Sequence, residues 1–413
     1  MVAVKKPEIL SPAGDMECLT SAVRFGADAV FLAGKEFGMR TAAVNFQNPD
    51  LKSAIDIAHK ENRKVYITCN ILPRNDEISR MPDFLSYIQG SCADALIISD
   101  LGVLSLAQKY APKVPVHIST QAGVVNYMAA RQLYNMGAKR IVLARELSIW
   151  EIKEIRAKIP EDLEIECFVH GAMCVSFSGR CLISNYLTGR DANRGDCAQP
   201  CRWKYYLYEE NREGQFFEIE ENKKGTYLYN ANDLCMIEHI PELIDAGISS
   251  FKIEGRAKSA YYTAVTANAY RRALDDYMKS GPDAYTLKTW IKEELEKISH
   301  REYCSGFFFG NSPGQETSTG GYIRKYDVVA VCVKSEGTNA IITQRNKFYT
   351  GDTLDVLPPD GVPFETAVLK ITNKKGETVD SAPHPMETLY LETTKTIPAD
   401  SFIRKQRQPV KKL

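Results

Sequence analysis

Residues 164–171 read EIECFVHG, and the ten residues after them read AMCVSFSGRC, with cysteines at 174 and 181. The first run is continuously apolar apart from its acids and one histidine. That pattern fits a parallel strand covered on both faces better than a strand with one wet face. Working outward, seven more short runs repeat it: EILSPAG (8–14), AVFLAG (29–34), KVYITCN (64–70), ALIISD (95–100), PVHISTQ (115–121), RIVLARE (140–146) and SSFKIEG (249–255).

Helical patterns separate most of them. MECLTSAVRFG precedes the second run, PDLKSAIDIAHKEN the third with Pro49 suited to a first turn, and YMAARQLYNMG the sixth, closing on Gly137. SIWEIKEIRAKI precedes the seventh. DLCMIEHIPELIDAG precedes the eighth, with Asp233 read as N-cap and Gly247 as terminator. Eight β/α units predict an α/β fold, a TIM-barrel-like (β/α)8 domain over residues 1–320. The seventh connection is far longer than an ordinary βα loop, so it is read as an inserted subdomain, 172–232. Its aromatic stretches WKYYLYEE, GQFFEIEE and GTYLYNAN read as small antiparallel strands. From 321 to 413, short strands with turn signals predict a small all-β barrel, ending in a basic tail, RKQRQPVKKL.

The chain has 413 residues, with Lys+Arg 52 balancing Asp+Glu 52. No global field draws it to nucleic acid, so any RNA site must be a local basic patch. The start, MVAVKKPEILSPAG, lacks a signal peptide's apolar core, and the longest apolar run, Ala95 to Ala107, is broken by Asp100. No membrane segment is expected, and the expected compartment is the cytoplasm. Eleven cysteines there argue for metal, chemistry or burial rather than disulfides.

Five of the eleven, Cys174, Cys181, Cys197, Cys201 and Cys235, crowd into the excursion and its return. Thiolates bind soft metals, and four on one loop can enclose zinc or an iron–sulfur cluster. Only Cys197 and Cys201 have knuckle-like zinc spacing. Cys18, Cys69, Cys92, Cys167, Cys304 and Cys332 are expected to be small buried hydrophobes. In a (β/α)8 barrel the site lies at the carboxyl ends of the strands. Those ends carry Arg145, Glu146, His170, Lys252, Glu254 and Arg256, and Arg40 follows the second strand. Arg40, Arg145, Lys252 and Arg256 could bind an anionic small molecule, or could pair with Glu146 and Glu254 and hold the barrel together. His170 and Glu254 are the candidate acid/base groups, and a core role competes for the histidine. No H-E-x-x-H, G-x-S-x-G, P-loop or G-x-G-x-x-G is present.

The string ECFVHGAMCVSFSGRCLIS (166–184) resembles the signature of the collagenase-like peptidase family, family thirty-two of the unassigned class. PAGD, GADAVFLAG, HISTQAGVVN, RGDCAQPCRWKYYL and SFKIEGRAKS resemble it too, in the right order over essentially the whole chain. The architecture resembles the family's tRNA-hydroxylating branch. The resemblance implies a 4Fe-4S cluster and oxygen-independent, prephenate-dependent conversion of a wobble uridine to 5-hydroxyuridine. Cys174, Cys181 and Cys197 match the first three cluster ligands, and Cys201 or Cys235 the fourth; with this resemblance, iron–sulfur is favoured over zinc. The implied partners are tRNA, a small dicarboxylate and a possible paralogous protein. Arg190, Arg194, Arg202, Trp203, Lys204, Tyr205 and Tyr206 could meet RNA, as could Arg404, Lys405, Arg407, Lys411 and Lys412 in the β domain. Strand packing and a solvated tail are the competing readings. Two other functions compete: a collagenase-like peptidase, and a non-catalytic RNA-binding or assembly partner whose cluster is structural.

Overall fold

The computed structural model describes residues 5–39, 43–174, 176–205, 207–208, 216–217, 226–227, 231–310 and 322–407, with the backbone alone at 204–205, 207–208, 216–217 and 226–227. Arg40, Tyr206, Lys411 and Lys412 lie outside the described residues, and so do the side chains of Lys204 and Tyr205. The chain divides into two compact units, Met1–Lys292 with His300–Tyr322, and Glu293–Ser299 with Ile323–Leu413.

The first unit is a closed barrel of eight parallel strands. They are β1 (Glu8–Pro12), β2 (Ala29–Ala33), β3 (Lys64–Cys69), β4 (Ala95–Ile98), β5 (Val116–Ile118), β6 (Ala138–Val142), β7 (Glu164–Ala172) and β9 (Ser250–Ile253), with β8 (Asp233–Cys235) between the last two in sequence. Ser250 closes the ring, opposing Glu8 of β1 on one side and Glu166 of β7 on the other. Local chemistry sets the helices between them. Asp15 caps the helix Met16–Arg24, Pro49 sits in the first turn of Asn48–Lys60, and Ser148 with Glu151 forms a reciprocal cap on Ile149–Lys158. Gly137 takes φ 96° after the helix Tyr127–Asn135, a conformation only glycine adopts without strain. Among the described residues no helix is long and apolar enough to cross a membrane.

Leu10, Ala29, Phe31, Tyr66, Ala95 and Ile97 pack inside the barrel. An ionic layer shares that interior. Arg140 reaches Glu8 at 2.7 Å, Glu164 at 2.7 Å and Glu166 at 3.1 Å, and Lys252 Nζ reaches the other oxygen of Glu166 at 2.6 Å. Tyr66 and Ser250 donate to Glu8. Buried charges are tolerated only when paired and hydrogen-bonded, and here each acid meets more than one donor.

β7 departs from strict alternation. Glu166 and Phe168 face inward, and continued alternation would send His170 inward too. The register with β9 slips there: Phe168 opposes Lys252, but His170 opposes the next residue, Ile253. The bulge re-aims the histidine outward.

The excursion leaves at Ala172 and returns at Asp233, and these two oppose each other in the antiparallel pairing of β7 with β8. Within it Lys204–Tyr205 pairs with Thr226–Tyr227 and Leu207–Tyr208 with Phe216–Phe217, all antiparallel as expected. The helix expected from Asp233 to Gly247 is corrected: Asp233–Cys235 is a strand, and the α-helix is Ile240–Asp245. Pro241 explains it, because proline belongs in a helix's first turn and not in its interior. Asp233 is therefore no N-cap; it accepts from the Arg301 backbone at 3.1 Å. Cys235 does not open a helix. Four of the isolated cysteines are buried as expected, but Cys304 is half-buried and Cys92 is exposed at a left-handed helix end.

The second unit is a six-stranded antiparallel barrel. After β10 (Tyr303–Cys304), which pairs with β8, come β11 (Tyr326–Glu336), β12 (Asn339–Gln344), β13 (Thr353–Leu357), β14 (Phe364–Thr372), β15 (Thr388–Thr393) and β16 (Phe402–Gln406). They close in the order β13-β16-β11-β12-β15-β14. Val329, Ile342, Phe348, Leu354, Leu391 and Ile403 fill it. The basic stretch read as a tail begins inside β16. Arg404 is fully buried, 2.7 Å from Glu294 and 3.1 Å from Asp355. Lys405 pairs with Asp352 and Arg407 with Asp327. Arg404 is therefore no surface cation, while Lys405 and Arg407 pair with acids of their own unit.

Candidate active site

A cavity of ≈ 1020 Å³, counting its open mouth, lies at the carboxyl ends of the barrel strands. Each strand contributes what its end carries: Thr68 and Asn70 from β3, Ser119 and Gln121 beyond β5, Arg145 and Glu146 beyond β6, and Lys252, Glu254 and Arg256 from β9 onward. Phe31 and Phe168 form apolar walls. Cys174, Cys181 and Cys197 line the same cavity. Three of the four expected cations and three of the five expected cysteines therefore meet in one place.

Each of those cations is anchored. Lys252 is 4% exposed, held by Glu166, with its ammonium 4.6 Å from the Phe31 ring centre and 5.4 Å from that of Phe168. Arg145 donates to the Ala172 carbonyl at 2.7 Å, lies 3.8 Å over the Phe168 ring, and approaches Glu254 at 4.0 Å. Arg256 donates to Thr68 Oγ1 at 2.9 Å. The two readings of these side chains merge: protein partners fix them, and they still face the cavity.

The cysteine loop is clamped to the rim. Ser178 donates through its backbone N–H and its hydroxyl to Glu146 at 2.9 and 3.0 Å. Gly179, at φ 75°, packs so closely that a Cβ there would overlap the Gln121 carbonyl oxygen. Leu72 N donates to Asn193 O, and Arg194 pairs with Glu77 at 2.8 Å. Arg190 pairs with Asp196. Apart from Arg190 with Asp196, sequence spacing could not show these clamps, because they join residues tens of positions apart.

Cys197 Sγ accepts the Gln199 backbone N–H at 3.4 Å, with Gln199 left-handed at φ 57°. Burial pushes the Cys201 thiol up to about 11. Arg202 opposes that rise, while the neighbouring charges of Cys174, Cys197 and Cys181 reinforce it. Four thiols thus share one electrostatic neighbourhood, a donor set of the kind soft metals take. Such a set could hold zinc or an iron–sulfur cluster. Among the described residues no three Cys, His, Asp or Glu side chains close to the spacing of a single metal ion. Cys235 is placed differently: it opposes His170 across the strands, and its charge is felt by Tyr262 and Tyr270.

His170 is corrected as a candidate acid/base. It is 1% exposed, does not line the cavity, and sits among the rings of Tyr303, Tyr270 and Tyr262 at 5.4–6.0 Å. Burial above all, with His300 and Lys258 adding, pushes its pKa down to about 3. It is a neutral core imidazole. Glu254 does line the cavity.

One feature had no sequence signal. Tyr322 receives Arg202 at 3.1 Å and Arg301 at 3.4 Å on its hydroxyl, with Lys258 4.2 Å over its ring. Burial favours the neutral phenol, yet Lys258, Arg202 and Arg301 together hold its pKa below the ordinary value. Arg202 also reaches the Met173 carbonyl, next to Cys174.

Residues 14–318 match the model of peptidase family U32, and residues 324–404 match that family's C-terminal domain. The chain is 36% identical over 408 residues to tRNA hydroxylation protein P1 of Bacillus subtilis (strain 168), covering 98% of this chain and 96% of that one. It is 34% identical over 429 residues to tRNA hydroxylation protein P of Escherichia coli (strain K12), covering 94% and 93%. It is 36% identical over 305 residues to the 23S rRNA 5-hydroxycytidine C2501 synthase of the same Escherichia coli strain, covering 73% of this chain and 45% of that one.

Proposed function

The chain belongs to peptidase family U32, and from that premise we propose that it is an RNA-modifying hydroxylase that forms 5-hydroxyuridine at the wobble position of tRNA. The carrying observation is the meeting of Cys174, Cys181 and Cys197 with Arg145, Lys252 and Arg256 around one cavity at the strand ends. End-to-end similarity to proteins named for tRNA hydroxylation supports the choice of substrate.

Cys174, Cys181, Cys197 and, by its shared electrostatic neighbourhood, Cys201 would hold a 4Fe-4S cluster. When bound, such a cluster supplies one-electron transfer without needing dioxygen. The chain's own groups do the rest. Arg145 and Arg256, fixed by Ala172 and Thr68, offer guanidinium forks to a dicarboxylate such as prephenate. Lys252 holds positive charge between the two phenylalanine rings. The Phe31 and Phe168 walls exclude water beside it. Glu254, in reach of Arg145, is the carboxylate placed to exchange a proton with whatever occupies the cavity.

A peptidase reading fits the cavity poorly. None of the six histidines lines it, so no cysteine or serine there has an imidazole base.

The test is direct. The gene is deleted, and tRNA nucleosides are measured by mass spectrometry with and without complementation. Wild-type complementation restores 5-hydroxyuridine, whereas Arg256→Met and a Cys174→Ser, Cys181→Ser double variant do not. Unchanged 5-hydroxyuridine in the deletion strain rejects the proposal. Anoxic purification with iron and sulfide analysis tests the cluster separately.

A further inference from the structure

The excursion carries a concentration of solvent-exposed apolar side chains. Tyr186 is 88% exposed, Leu182 74%, Leu187 48%, Trp203 45% and Phe177 44%. Soluble proteins scatter such residues singly, and a gathered set marks an interaction surface. Here the set is gathered. Leu182 precedes the short helix Ile183–Thr188, and Tyr186 and Leu187 ride on it. That helix packs on the turn Pro200–Arg202, which Trp203 follows. Ser184 Oγ accepts the Ala198 N–H at 3.0 Å, tying the same two segments. Phe177, on the same loop, also lines the cavity. The patch therefore begins where the cavity opens.

Its charge points to one occupant. Between residues 176 and 203 there are four arginines (180, 190, 194, 202) and two aspartates (191, 196), a net of +2 from 4 − 2. Both aspartates are engaged: Asp196 with Arg190, and Asp191 with the Asn193 N–H and Arg74. Arg180 is exposed. Flat rings on a positively charged surface suit unstacked bases and phosphates, since every base has a π-face and every linkage a negative charge.

We propose that Tyr186 and Trp203 are stacking platforms for unpaired nucleotides beside the target base, with Arg180 contacting the intervening phosphate. This deepens the hydroxylase reading and rests on it. It also replaces Arg190 and Arg194, which are committed to acids, as the loop's RNA contacts.

The experiment uses full-length protein under anoxic conditions and fluorescent bulk tRNA from the deletion strain. Tyr186→Ala and Trp203→Ala should each weaken tRNA binding by on the order of tenfold. Tyr186→Phe and Trp203→Phe should restore it. Iron content and affinity for a blunt RNA duplex should stay at the wild-type values. Alanine variants that bind tRNA as tightly as wild type overturn the proposal. So does an alanine variant that keeps tRNA affinity but dissociates a wild-type oligomer, which makes the patch a protein interface. If wild type restores 5-hydroxyuridine while the alanine variants bind normally, this inference falls and the hydroxylase reading stands. If deletion leaves 5-hydroxyuridine unchanged, both fall.

Discussion

Glu166→Gln should destabilise the first unit sharply, and the structure sets the size of the effect. Glu166 is fully buried; Lys252 lies 2.6 Å from one of its oxygens and Arg140 3.1 Å from the other. The substitution keeps the shape and removes the negative charge. Arg140 still has Glu8 and Glu164. Lys252 loses its carboxylate and remains a desolvated cation between two rings. Breaking a buried pair by removing one partner costs about 3–5 kcal/mol. For a unit of about 300 residues, each kcal/mol moves Tm by roughly 1.5 °C, so a fall of about 5–8 °C is expected. Differential scanning calorimetry on purified variants measures it. The double variant Glu166→Gln, Lys252→Met removes the stranded charge and should recover much of the loss, because replacing a whole buried pair is often neutral. A single variant within about 2 °C of wild type refutes the reasoning. So does a double variant no more stable than the single one.

Other consequences can be measured alongside. Gly179→Ala forces a side chain into the Gln121 carbonyl at φ 75°; it should strip iron and 5-hydroxyuridine formation while the barrel's melting transition survives, as calorimetry and metal analysis will report. Cys201→Ser should lower iron per chain further than Cys235→Ser does, since Cys201 shares its neighbourhood with the other three thiols. His170→Leu should leave tRNA hydroxylation intact, whereas loss of activity in a folded variant would restore the histidine to the chemistry. The same variant should flatten the acid limb of stability. Folded His170 stays neutral down to about pH 3 while the unfolded chain protonates near 6.5. The stabilisation is therefore complete above pH 6.5 and lost as pH falls towards 3, at up to about 1.4 kcal/mol per unit.

The barrel was legible because all eight of its strands coincide with the apolar runs, β6 starting two residues before its run and β7 ending one residue after, and punctuation such as Pro49 and Gly137 is local. The rim residues were legible for the same reason: strand ends follow from strand positions. What failed needed information from elsewhere in the chain. His170 was misplaced because one bulge against β9 reverses the alternation, and nothing within EIECFVHG announces it. Asp233 was misread because antiparallel pairing with β7 outcompeted a helical pattern that Pro241 had already weakened. Arg404 looked like part of a solvated tail because Glu294, its buried partner, lies 110 positions away. Tyr322 had no local cue, since its three cations come from three separate segments.

The pairing of Ala172 with Asp233 means that the chain enters and leaves the excursion through adjacent positions on one strand pair. Everything between is a side branch whose ends are already joined, so lengthening it adds only slowly growing closure entropy and leaves the ring of strands untouched. Such a junction lets the part of the branch beyond Cys201 be rebuilt without disturbing the strand ends that carry Arg145, Lys252 and Arg256.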